Sequence, residues 1–189
     1  MKHLMMPALL VLSAALQSPL AAASCWVPVP ALSHIVFNTT QAGAPFQGTF
    51  KDYSGLVCID AGADSHIRVS LQTASVDTQL PELDAALRGP DFFDVSRWPQ
   101  ALFESQTVQV LGAGHYQVTG KLTLRNVTRE ISAAFTFMPA TDGNAQLEGR
   151  FKLARLDYHI GLGQWADTRW VGNQVEVTFS VALKPTAGK

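Results

Sequence analysis

Hydrophobic and polar residues alternate one by one through most of this chain, the pattern of strands with one buried face. "HIRVSL" sets Ile67, Val69 and Leu71 against Arg68 and Ser70. "YQVTGKLTL" places Tyr116, Val118, Gly120, Leu122 and Leu124 on one row, and "EISAAFTF" does the same with Ile131, Ala133, Phe135 and Phe137. "QLEGRFKLAR" aligns Leu147, Gly149, Phe151 and Leu153; "QVEVTFSVAL" aligns Val175, Val177, Phe179, Val181 and Leu183. Near the start, "SHIVFNTT" and "FQGTFKDYSGLVCID" flank "QAGAP", which predicts a hairpin centred near Ala42. "AGAD" at 61–64, "LGAG" at 111–114 and "ATDGN" at 140–144 supply further turns.

One stretch breaks the alternation. In "TQLPELDAALRGPDFFDVSRWP", Pro81 can open a helix with Leu83, Ala86 and Leu87 on one side, and Gly89-Pro90 ends it. Phe92, Phe93 and Trp98 follow as an apolar knot, with Asp91 and Asp94 expected to cap or lie at the surface. The expected fold is all-β: a single antiparallel barrel of about eight strands with a short helical insertion, since closure removes unpaired edges. Such a barrel can be filled by side chains or can hold one elongated ligand. Gly120, Ala133 and Gly149 stand on the inner rows where a solid core wants bulk, which favours a hollow, although a sandwich with closely approaching sheets predicts the same pattern.

Composition narrows the setting. With 189 residues, 47% hydrophobic, the chain suits one domain. Its net charge of −1, from 14 basic and 15 acidic residues without a basic run, argues against nucleic acid and against electrostatic docking on anionic membranes. Lys2, the apolar "LMMPALLVLSAAL" and the small residues of "SPLAAAS" read as a secretory signal peptide over 1–23, leaving an exported domain at 24–189. A retained membrane anchor is disfavoured by Pro7 and the short apolar stretch. Lipid attachment at Cys25 is disfavoured because "AAS" lacks the usual leucine.

Export places the two cysteines where disulfides persist. If the first hairpin turns near Ala42, facing positions total about 83, and Cys25 faces Cys58. A bridge is favoured over free thiols, and a metal site is disfavoured because no CxxC or nearby histidine pair completes one. His34, His66, His115 and His159 never fall at i, i+2 or i, i+4 spacing; GxSxG and glycine-rich phosphate loops are absent. Neither catalysis, nor a cofactor, nor a metal is expected. The only polar groups left unassigned, Arg155, Asp157 and His159, would carry a hidden enzyme if there were one.

At "RGPDFFDVSRWPQALFES", "GKLTLRNVTREI" and "FKLARLDYHIGLG", in that order and at natural spacing, the chain resembles the YceI-like lipid/polyisoprenoid-binding family, over nearly all of the segment from "SHIVF" to "VEVTFSVALK". The resemblance implies a lipocalin-like periplasmic barrel holding an isoprenoid lipid or isoprenoid quinone in a central tunnel, by burial and without chemistry. Two departures stand out. Asn126 replaces the family's corner glycine, and asparagine tolerates a left-handed backbone. In "PALSHIVF", Ser33 precedes His34, which puts any role of that histidine in doubt.

The tunnel would be lined by Ile35, Phe37, Val69, Leu71, Phe103, Val118, Leu122, Phe135, Phe151 and Phe179, each equally readable as ordinary core. Arg155 and Asp157, read as sharing one strand face, match an arginine and an acidic residue that recur in the family; they are candidates for the ligand head group, against an intrachain ion pair or a solvated rim. "GQWADTRWVGNQVEV", with Trp165 and Trp170, is similar to the branch found beside cytochrome b561-type membrane proteins, which makes an accessory protein of such a redox system the alternative reading. Oligomeric state is open, a dimer included.

Overall fold

A computed structural model describes residues 24–60 and 65–186. The expected signal peptide at 1–23 lies outside the described residues. The strands are β1 (Ser24–Pro28), β2 (His34–Gln41), β3 (Ala44–Phe50), β4 (Tyr53–Ile59), β5 (His66–Gln72), β6 (Val76–Asp77), β7 (Gln100–Gly112), β8 (His115–Leu124), β9 (Val127–Pro139), β10 (Ala145–Ala154) and β11 (Gln174–Pro185). The one α-helix among the described residues, α1 (Pro81–Arg88), sits between β6 and β7. Every pairing is antiparallel and joins neighbours, and β11 returns to pair with both β1 and β2. The sheet is therefore closed, and the expected barrel is what forms.

Eleven strands make eight staves because three staves are broken. β1 and β2 occupy one stave, interrupted at 29–33; β3 and β4 another, interrupted at 51–52; β5 and β6 a third, interrupted at 73–75. The inward parity flips across the first two breaks, from Trp26 to Phe37 on one stave and from Phe50 to Tyr53 on the other. The breaks also correct the expected hairpin register. Phe37 faces Gly48 across β2 and β3, two positions away from the uninterrupted pairing, whereas Cys25 does face Cys58 across β1 and β4 and is disulfide-bonded to it.

Two-residue turns close the hairpins. Arg125 and Asn126 both take positive φ, 47° and 61°, between β8 and β9, so asparagine fills the corner without glycine. Ala42 (φ 49°) and Gly43 (φ 79°) do the same between β2 and β3.

The barrel is packed unevenly along its axis. Toward the disulfide end, Trp26, Ile59, Phe137, Ala145 and Leu183 are buried in one cluster, with Trp26 edge-on to Phe137 at 4.9 Å. Tyr116 stacks on Phe135 at 5.2 Å beside it. At the other end, Phe92, Leu122, Tyr158 and Ile160 form a second cluster beneath the loops. Phe103 and Phe151 pack against both clusters, and beside them a gap remains between the two.

Candidate functional site

A cavity of about 310 Å³ occupies this gap. Its floor is Val57, Ile67, Leu147 and Val181, beyond which the buried cluster fills the barrel, so the expected tunnel is a pocket closed at the disulfide end. Its roof comes from two loops. Leu83, Ala86 and Leu87 of α1 contribute with Phe92 and Phe93, and Ile160, Trp165 and Val171 come from the segment between β10 and β11. That volume is at the lower end of ligand pockets.

All ten residues named from the inward rows line this cavity. Ile35, Val69, Leu71, Phe103, Phe151 and Phe179 line the hollow and are only half-buried. Phe46, Phe50 and Val177 also line it and were not named, although Val177 was legible on the inner row of its strand.

The small residues do not make the hollow. A Cβ on Gly149 would meet the Phe179 ring at 2.5 Å and the Ala134 carbonyl at 2.6 Å, and one on Gly120 would meet the Phe103 ring at 2.8 Å. These glycines let phenylalanines fold flat across the neighbouring strand; the space lies elsewhere. Ala133 lines the cavity as a buried residue low in the barrel.

Arg155 and Asp157 do not share a strand face. Residues Arg155–Tyr158 form a 3-10 turn, ended by His159 in the left-handed region at φ 58°. Asp157 is exposed, while Arg155 is 3% exposed. The Arg155 guanidinium donates Nε to the Gly172 carbonyl (3.0 Å) and Nη1 to those of Ile160 (2.8 Å) and Gly161 (2.7 Å). Its Nη2 donates to Trp165 and Val171, both at 2.7 Å. An arginine has five N–H donors, and here five carbonyls take them. Burial holds its pKa below the ordinary value. Gly161 makes the cradle possible, since a Cβ there would meet Nη1 at 2.5 Å.

A second arginine ties the roof together. Nη1 of Arg125, on the β8–β9 turn, donates to the carbonyls of Asp91 (3.2 Å), Phe92 (2.5 Å) and His159 (2.7 Å). The Gly161 amide donates to the Asp91 carbonyl at 2.7 Å, and the Phe92 and Trp165 rings meet at 5.7 Å. Asp94, expected as a cap or at the surface, is buried, accepts from Ser96 and pairs with Arg97 at 3.6 Å. Of the two tryptophans, Trp165 is half-buried in the roof and Trp170 is 60% exposed. No group of three or more His, Cys, Asp or Glu able to hold a metal occurs among the described residues.

Apart from Arg155 and the polar Thr39, Gln41, Tyr53 and Thr73, the wall is hydrocarbon. Burial pushes the Tyr53 phenol up, opposed by the Ser33 hydroxyl. Such a wall can withdraw an apolar chain from water.

The chain is 39% identical over 120 residues to a UPF0312 protein of Ectopseudomonas mendocina, covering 60% of this chain and 63% of that one. The chain thus spans less than two thirds of the length of that relative. It is 32% identical over 143 residues to Protein YceI of Salmonella arizonae, covering 71% of each. Among solved structures, BcnA of Burkholderia cenocepacia superposes with TM-score 0.78 at 27% identity, covering 82% of this chain and 98% of that one. A polyisoprenoid binding domain from Saccharophagus degradans superposes with TM-score 0.69 at 14% identity, covering 87% and 100%, which shows the shared fold. The YceI-like domain model matches residues 26–183, and the chain belongs to that family.

Proposed function

We propose that this protein is a periplasmic carrier that holds an isoprenoid lipid or isoprenoid quinone inside its barrel and performs no chemistry on it. The observation that carries this reading is the one-ended apolar cavity, walled by inward residues that remain half-buried. Each five-carbon prenyl unit placed there contributes about 4 kcal/mol gross, at roughly 0.8 kcal/mol per buried carbon. A few units therefore suffice after ordering costs. The Cys25–Cys58 disulfide fits an oxidising compartment, which an exported protein would occupy. The name of the Saccharophagus degradans domain supports the ligand class.

Native mass spectrometry of protein purified from its host tests the carrier reading. The expected spectrum contains a non-covalent adduct with the mass of a prenylated compound, and delipidated protein regains one when offered it. A barrel that neither retains nor takes up any prenyl compound would overturn the assignment. An accessory role beside a cytochrome b561-type protein rests on Trp170 alone, because Trp165 is part of the roof.

A further inference from the structure

Large apolar side chains lie open to water at the roofed end of the barrel. Leu80 is 53% exposed, Leu162 44% and Trp170 60%. Each continues the cavity wall outward. Leu80 leads into α1, whose Leu83 and Leu87 line the cavity. Leu162 stands between the lining residues Ile160 and Trp165, and Trp170 precedes the lining residue Val171. The Trp170 carbonyl accepts the Ala42 amide at 2.8 Å, which sets this residue beside the tip of the β2–β3 hairpin. There Ala42, Ala44 and Pro45 are exposed as well. Apolar surface therefore runs from the cavity through its roof to the outside of the molecule.

The charges at this end say what kind of surface it meets. The segments that build it, 41–45, 78–99 and 155–173, contain no lysine. Their arginines are committed to neighbours. Arg169 is paired with Asp167 through Nε at 3.0 Å and Nη2 at 2.6 Å, and Arg97 lies 3.6 Å from the Asp94 carboxylate. Arg88 donates to the carbonyls of Ala74 (2.9 Å) and Val76 (2.8 Å), as Arg155 does to those of the roof. Glu82 and Asp157 stand exposed among them. Attraction to anionic lipid grows with each free Lys or Arg, and this end is not made that way. A zwitterionic lipid layer asks instead for apolar side chains and a ring with one wet edge, which an exposed indole supplies.

We propose that the roofed end of the barrel docks on a zwitterionic lipid surface by inserting Trp170, Leu162 and Leu80 at the headgroup level. The cavity then faces the layer from which an apolar ligand is drawn. That last step rests on the carrier reading, whereas the docking itself needs no ligand.

Flotation of the disulfide-intact protein with protein-free phosphatidylcholine/phosphatidylethanolamine vesicles tests the docking. The protein is expected to float with them equally at about 50 and about 500 mM salt, since burial of apolar surface is not screened. Trp170→Ser and Leu162→Ser should each lower the bound fraction by about tenfold, the loss of one large buried side chain. Val110 and Leu111 provide the control. They are 57% and 59% exposed, but on the hairpin whose Gly114 carbonyl takes the Phe137 amide at the disulfide end. Val110→Ser and Leu111→Ser should leave flotation unchanged. Failure to float, flotation only with phosphatidylglycerol vesicles at low salt, or equal losses at the two ends would overturn the proposal. Native mass spectrometry with a prenyl compound separates the two readings. A protein that takes up the compound but ignores vesicles would sink the docking alone, and one that floats yet never holds the compound would sink the carrier reading alone.

Discussion

Two residues show how far a side chain can be understood from its neighbours in the chain. Asn126 was legible, because a two-residue hairpin turn needs positive φ and asparagine tolerates it. Tyr158 was not. Its phenol is buried beneath the roof, makes no hydrogen bond to a described residue, and has its pKa pushed up to about 12 by burial, with Arg129 opposing and Asp157 reinforcing the shift. The folded form therefore holds this proton more tightly than the unfolded chain, whose tyrosine titrates near 10.0. Its stabilising contribution is present below pH 10 and disappears as pH rises through about 12, an effect of about 2–3 kcal/mol. In urea unfolding, Tyr158→Phe should flatten the alkaline decline, with a residue from Tyr53, which is shifted the same way. At pH 8 the variant should match the native protein within about 1 kcal/mol or exceed it, since the lost hydroxyl had no partner. An alkaline slope identical to that of the native protein would assign the titration to another group.

At the level of elements, strands and helix followed from local patterns. Period-two alternation marks β5 and β8–β11, and Pro81 and Gly89 bound α1. The pattern misled where it ran on past its strand. Phe151, Leu153 and Arg155 continue the alternation, yet β10 stops at Ala154 and Arg155 turns inward as the hub of the segment reaching Gly172. That segment has little regular structure to absorb its own carbonyls, and a guanidinium fork is the one side chain with five donors. Arg155→Lys keeps the charge but supplies three donors without the fork, leaving at least two carbonyls unpaired. The expected loss is about 2–5 kcal/mol in chemical denaturation. Hydrogen exchange should accelerate over residues 159–172 while β8 to β10 stay protected. Native stability in that variant would show that the cradle is ornamental. The broken staves are a second case: the parity flip at 29–33 comes where both ends of one stave pair with β11, and that at 51–52 where β3 gives way to β4, pairings that neither segment contains in itself.

For the whole molecule, the decisive feature is a barrel that is solid at one end and hollow at the other. Val177 lies within the hollow, facing Phe37 and Phe151 across its two neighbours. In a filled core Val177→Trp would overpack and cost about 1–3 kcal/mol. Here the indole enters empty space, so thermal stability should be kept or raised while uptake of a farnesyl probe falls by about tenfold or more, as the pocket loses room for a ligand. Undiminished uptake would move the site elsewhere. Alternation alone determined that these segments are strands and which residues of each share the inward face, because a period of two is a property of the backbone and needs no partner. Whether the inward faces touch was decided only by closure. Inner-row phenylalanines read identically as core or as lining, and the choice depends on barrel width, on rings folded over Gly120 and Gly149, and on two loops roofed over by arginines whose donors find carbonyls remote in sequence.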